Sequence, residues 1–408
     1  MTGARSSSGN PRTFHLTLLL AVCVIVAFAG CIGPRGLSST RLKYNEAIRR
    51  TNDAETLLAL VRLRYQDTNV RLAVSNITSQ FEASAGARYE GGDDELGVAN
   101  VAVSDRPTIV YSPAGAQTVE EVAAPLTLEQ LEFLSSTFSL GTVLRMFVGS
   151  INGLDNASTA VGPTPSTPPR FEEFRCFAEI ASELQNQQAI LLKREKRPAE
   201  QEYTLPLKSA DDFLKLRQAG YDIQETESGN ELIVRDSTIS PVLVLRQEPE
   251  TIELSAQLQQ LLGLDGNVNK YQITSVPEQF PSTYGPTQRD NIEISLRSLG
   301  QVSLFLSQGI EVPERDINCG AVRTTCNHDG SLFDWNQVLG NLFHVRCCKR
   351  KPRNARLAVK YRGYWFYVMD CDKATIETLR LLTTVSGLQG VRAGRDVNAP
   401  VLTISAGR

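Results

Sequence analysis

Apolar residues recur at helical spacing in "RLKYNEAIRRTNDAETLLALVRLRYQD", residues 41–67, which reads as one or two helices with Asn52 or Asp53 as an N-cap between them. Ala54, Leu57, Leu58, Val61 and Tyr65 share a face of this amphipathic segment, and Arg62 and Arg64 are assigned to the solvated side. From Val70 to Phe81, Leu72 and Val74 alternate with polar residues, and "PTIVYSP" later has the same extended character; "YEGGDDELG" between them reads as a loop. Residues 126–151 return to a helical period, with Leu128, Leu131 and Leu134 on one face, followed by Val143, Leu144, Phe147, Val148 and Ile151.

"NASTAVGPTPSTPP", residues 156–169, breaks every period. Four prolines among Ser, Thr and Gly predict an extended, poorly packed linker and a domain boundary. Beyond it, residues 171–197 read as one long helix ended by Pro198, "YDIQETESGNELIVRD" as a hairpin turning near Gly229 and Asn230, and "VLVLR" as a strand. Residues 291–313 combine a strand with a helix closed by Gly309 and Pro313. "LFHVRCCKRKPRNARLAVKYRGYWFYVMD" predicts a hairpin turning at Pro352 to Asn354. Its second arm carries Tyr361, Trp365 and Tyr367 on one face and Tyr364, Phe366 and Val368 on the other, the pattern of an interior strand. A helix from Lys373 to about Ser386 and the strand "PVLTI" would cover it. The expected class is α+β, with a mostly helical part over 31–155, the linker 156–169, and a mixed part over 170–408.

The first thirty residues stand apart. Arg5 and Arg12 precede an almost wholly apolar run from Leu16 to Gly30, the layout of a secretory signal peptide. At about 1.5 Å per residue the run is too short to cross a hydrocarbon core of about 30 Å comfortably. Ala29 and Gly30 before Cys31 resemble the lipobox of bacterial lipoproteins, although Phe28 stands where Leu, Val or Ala is usual. Cys31 is therefore the expected lipidation site, and Ile32 after it, in place of Asp, points by analogy to the outer membrane, on its periplasmic side. Removal of residues 1–30 would leave 378 residues and move the net charge from −3 to −5. A mildly acidic chain has no electrostatic reason to seek nucleic acid.

Six cysteines then remain besides Cys31: Cys176, Cys319, Cys326, Cys347, Cys348 and Cys371. An even number in an exported chain is the arithmetic of disulfides, and Cys319 with Cys326 is the pairing favoured across the short loop "CGAVRTTC". His328 and His344 could join these sulfurs around zinc, but Cys-x6-Cys-x-His and His-x2-Cys-Cys lack the usual two-residue knuckle, so no metal or other cofactor is expected. His344 near Cys347 and Cys348 is the one pairing in sequence that suits a thiol nucleophile. No Ser sits in a GxSxG elbow, and no Gly-rich phosphate loop joins a strand to a helix. Asp93, Asp94 and Glu95, and Glu172 with Glu173, read as solvated charge runs, as does the basic "KRKPR" turn at 349–353. Tyr361 and Tyr364, near a strand end, are the aromatic residues expected to be exposed for contacts.

The set "YNEAI", "LLALVRLRY", "SNITSQF", "SINGL", "LSQGIEVP", "AVKYRGYWFYVMD" and "APVLTI" resembles an uncharacterised group of predicted lipoproteins from Gram-negative bacteria. The resemblance implies no activity and no catalytic residue. It also implies that the cysteines at 319–348 are supplementary to whatever the group does. The sequence thus predicts a lipid-anchored envelope protein, tethered to the membrane at Cys31, with a structural or partner-binding role. An envelope-acting hydrolase or transferase that uses carboxylates, and a ligand-binding lipoprotein, stand as alternatives.

Overall fold

The computed structural model describes residues 32–67, 72–88, 98–113, 123–196, 202–206, 222–225, 231–235, 239–277, 289–393 and 402–405. The signal segment and Cys31, the acidic loop 89–97 and the turn 226–230 lie outside them. Helix α1 is Ile32–Arg64, one continuous helix where one or two were expected. The chain divides into two compact units, residues 1–55 and 56–408. In the first, Glu46 accepts from Arg49 at 2.9 Å and Arg50 at 2.8 Å, ion pairs one turn apart on a solvated helix.

The second unit takes in the end of α1 from Thr56 and continues with a long antiparallel hairpin of β1 (Leu72–Arg88) and β2 (Val98–Pro113). Helices α2 (Leu128–Thr137) and α3 (Leu140–Phe147) follow, the first closed by a capping box in which Thr127 and Gln130 exchange bonds. Strands β3 (Val148–Ile151) and β4 (Leu154–Asp155) come next, then α4 (Glu172–Asn186) and β5 (Ile190–Lys196). Strands β6 (Glu202–Pro206), β7 (Asp222–Glu225) and β8 (Glu231–Arg235) form a small sheet of order β6-β8-β7, which contains the hairpin expected around residue 229. The chain continues through β9 (Ile239–Leu245), α5 (Ile252–Leu261), β10 (Lys270–Ser275), β11 (Asn291–Leu296), α6 (Leu299–Ser307), α7 (Glu314–Asn318) and α8 (Asn336–Leu339). It ends with β12 (Arg346–Cys348), β13 (Ala355–Tyr361), β14 (Tyr364–Met369), α9 (Lys373–Ala393) and β15 (Leu402–Ser405), the last pairing with β2. The fold is α+β, as expected.

The central sheet has the order β4-β3-β11-β10-β9-β5, with only β10 and β11 parallel. This order overturns the division at 156–169, because β3 and β4 precede that segment and share one sheet with strands that follow it. The segment itself is packed: Asn156, Ala157 and Ala160 are buried, and its backbone is tied by hydrogen bonds to the rest of the unit. Ala157 N–H donates to Arg170 O at 2.8 Å, Asn156 Nδ2 donates to Val148 O, and Ser166 O accepts from Cys326 N–H at 3.0 Å. Proline lacks a donor but keeps its carbonyl, so a Pro-rich strap packs wherever neighbours supply N–H groups.

The predicted long helix at 171–197 is likewise two elements. Gln188 adopts a left-handed φ of 56° and turns the chain from α4 into β5, which pairs with β9 from Ile190 to Lys196. The C-terminal hairpin also turns elsewhere than expected. Arg362 and Gly363, at φ 47° and 87°, join β13 to β14, and the three strands run β12-β14-β13. β14 is interior, but asymmetrically: Phe366 and Val368 are buried, whereas Trp365 and Tyr367 are half-covered.

A buried cation locks the centre. Arg297, 0% exposed, donates to the carbonyls of Arg145, Met146 and Asn156 and stacks 4.2 Å from the Phe305 ring. Carbonyls at the end of α3 thereby gain the donors that a helix C-terminus lacks.

Candidate functional site

At 100° per residue, positions i, i+4 and i+7 of a helix fall on one line, so Leu57, Val61 and Arg64 share the buried stripe of α1. Tyr65 packs edge-on against Tyr361 at 5.4 Å and Phe366 at 6.2 Å, and its hydroxyl donates to the buried Asp316 at 2.8 Å. With Tyr65 pinned to the β13–β14 side, Arg64 turns inward and is 7% exposed, which corrects its assignment to a solvated face. Burial and then the bond to Asp316 push the Tyr65 hydroxyl well above its usual range.

Arg64 ends beside the Pro-rich strap. Its Nη1 donates to Thr164 Oγ1 at 3.3 Å and to Arg323 O at 3.0 Å. Its Nε has no hydrogen-bond partner, and no carboxylate among the described residues pairs with it. Burial pulls the guanidinium down to about 10, and only a weak effect of Tyr65 opposes it. Beside it Gln308, 4% exposed, donates from Nε2 to the same Thr164 Oγ1 at 3.2 Å while its Oε1 has no partner. Buried polar atoms are nearly always satisfied, so two open groups on neighbouring side chains call for an explanation.

Both side chains line a cleft of about 160 Å³. Its wall includes Ile310, Ile317, Phe333 and Trp335, and its rim carries Thr324, Asp334, Glu311 and His344. Several contacts hold this wall in place. Gly309 permits the bridge between Ile310 and Val345, since a Cβ there would lie 2.5 Å from Phe343 O. Arg145 Nη2 donates to Val338 O and Gly340 O, both at 2.9 Å, and fixes α8. Thr375 Oγ1 accepts from His344 N–H at 2.9 Å. On the rim, Glu311 meets His344 Nε2 at 2.9 Å and accepts from Cys347 N–H at 2.9 Å. Burial raises the Glu311 carboxyl, but the His344 and Cys347 bonds outweigh it and hold the group below its ordinary value.

The six cysteines are all thiols in the structure, with Cys319 and Cys326 unjoined. Cys176, Cys319 and Cys371 are exposed; Cys326, Cys347 and Cys348 are half-buried. Cys347 and Cys348 are successive residues of β12, whose side chains alternate between faces, and Cys348 Sγ donates to Arg350 O at 2.8 Å. Burial pushes the Cys347 thiol up to about 12, the opposite of what a nucleophile beside His344 needs. No group of three His, Cys, Asp or Glu side chains converges on a common point among the described residues. Tyr361 and Tyr364 are half-buried, and Tyr361 donates to Asp67, so it serves the packing around Tyr65. Lys351 sits 5.2 Å over the Trp365 ring.

No protein-family description, no curated protein and no solved structure matches this chain. Among the described residues no helix is long and apolar enough to cross a membrane.

Proposed function

We propose that this is a lipid-anchored envelope protein, tethered at Cys31, whose partner-binding role runs through the Arg64 cleft and requires an anionic group on the partner or ligand. The observation that carries the reading is Arg64: a guanidinium 7% exposed, without a carboxylate partner among the described residues, lining a cleft with its Nε open. Burial of an unpaired charge is costly, and an anionic ligand is the missing compensation.

One further observation weighs against the alternative of an enzyme acting through carboxylates. Such an enzyme needs a carboxylate that can be protonated to serve as an acid, whereas Glu311 on this rim is held ionised. The lipobox-like residues before Cys31 support the anchor. Intact mass of protein extracted from membranes tests it: an acylated chain beginning at Cys31 is expected, and a full-length unacylated chain would refute it. Binding of acetate to the native chain but not to an Arg64→Met variant, read by titration calorimetry, tests the cleft, and equal binding by the two would refute it.

A further inference from the structure

We propose that the anionic group is a free α-carboxylate next to an N–H, the end presented by a peptide C-terminus or an N-acyl amino acid. This deepens the anion-binding reading and rests on it.

Three observations narrow the ligand. First, the bonds Arg64 makes all come from Nη1, to Thr164 and Arg323. The atom left buried without a partner is Nε, which with Nη2 forms an edge of two parallel N–H donors whose spacing matches the two oxygens of a carboxylate. Second, Thr164 Oγ1 lies 3.3 Å from Arg64 Nη1 and 3.2 Å from Gln308 Nε2, so the hydroxyl holds the two side chains side by side. The open Gln308 Oε1 needs a donor close to the anion, and an N–H one carbon from a carboxylate is such a donor. Third, the cleft has a volume of about 160 Å³, below the range of about 300–1,000 Å³ typical of sites that enclose a drug-sized ligand. It suits the last residue of a longer molecule, with that residue's side chain against Ile317, Phe333 and Trp335.

The rim argues for a single negative charge. Glu311 is ionised and Asp334 shares the lining, so a phosphate dianion would meet like charge where a carboxylate end would not extend. Capture of a chain terminus by a fixed set of donors is an established way of recognising peptides.

The test is titration calorimetry on the full chain with four probes: N-acetyl-L-valine, its C-terminal amide, 3-methylbutanoate, which lacks the N–H, and inorganic phosphate. N-acetyl-L-valine is expected to bind about tenfold or more tighter than each of the other three, since each lacks or misplaces one hydrogen bond to a buried group. Arg64→Lys, which keeps the charge but loses the two-pronged edge, is expected to weaken N-acetyl-L-valine about tenfold with an unchanged circular dichroism spectrum. Gln308→Leu is expected to erase the preference over 3-methylbutanoate and leave the preference over the amide. Equal binding of N-acetyl-L-valine and 3-methylbutanoate, still dependent on Arg64, would overturn this inference and leave the anion site standing. Phosphate binding as tightly as N-acetyl-L-valine would do the same. Absence of binding by all four probes would overturn both readings.

Discussion

Replacing Arg64 with Met separates a ligand-binding cation from a structural one. The guanidinium sits at about 10 in the folded chain against 12.5 when solvated. At about 1.4 kcal/mol per unit, burial of the charge therefore costs folding on the order of 3 kcal/mol. Its folded pKa is the lower, so the unfolded chain holds the proton more tightly. The penalty is complete at any pH below about 10 and fades as pH rises from there towards 12.5. Met fills similar space and removes this cost. It also removes the bonds to Thr164 and Arg323. Thr164 keeps Gln308 as a partner, whereas the Arg323 carbonyl is left unpaired at a cost of about 1–3 kcal/mol. The balance is about zero to 2 kcal/mol in favour of Arg64→Met, or up to about 5 °C in melting temperature. Thermal unfolding followed by circular dichroism at pH 7 and pH 9 reads it, with the same difference expected at both. A fall of more than about 5 °C would mean that the guanidinium serves the fold, and the reasoning that links its open edge to a ligand would collapse.

Arg297 gives the opposite expectation. Arg297→Met strips donors from the carbonyls of Arg145, Met146 and Asn156 and should cost about 1–3 kcal/mol for each carbonyl left unsatisfied, visible as a lowered urea midpoint; an unchanged midpoint contradicts the role assigned to it. Gly309→Ala places a Cβ 2.5 Å from the Phe343 carbonyl and should destabilise by about 1–3 kcal/mol, with the cleft wall displaced and anion binding weakened together. The Glu311 carboxyl lies below its ordinary value, so the stability it supplies is present above that ordinary value, about 4.3, and is lost as pH falls through its lowered one; Glu311→Gln should flatten acid unfolding in that window and lower stability by a constant amount above it. Alkylation of the native chain at pH 8, mapped by peptide mass, should mark the exposed Cys176, Cys319 and Cys371 first and Cys347 last; rapid labelling of Cys347 would contradict its burial.

Much of the fold was legible because its elements obey simple periods. The faces of α2 and α3, the strand and helix of 291–307, and the strand β9 follow directly from apolar spacing. What escaped were junctions without the usual punctuation. Nothing at Gln187 and Gln188 resembles a helix stop, and "ILLKREK" becomes a strand because β9 offers it hydrogen bonds. Arg362 with Gly363 is a turn signal masked by the continuous aromatic run on both sides of it. Composition misled at 156–169, where proline and threonine suggested slack chain but Thr164 carries the bridge between Arg64 and Gln308. The site itself was half visible. Leu57, Val61 and Arg64 lie on one helical line, so the sequence placed an arginine in the middle of an apolar stripe. Gln308 and Thr164 carry no sequence signal at all, since their roles come from tertiary packing across 100 residues from Arg64 to Thr164 and 144 from Thr164 to Gln308.

The central claim is that the open edge of Arg64 receives an anion. Heteronuclear NMR of the chain with selectively labelled arginine reports on it directly, with the Arg64 Nε–H signal assigned from its absence in Arg64→Lys. The account predicts that this signal moves saturably as N-acetyl-L-valine is added and stays fixed on addition of the corresponding amide. A signal that stays in place with the acid at saturating concentration, or moves no more than those of the other arginines, would contradict it.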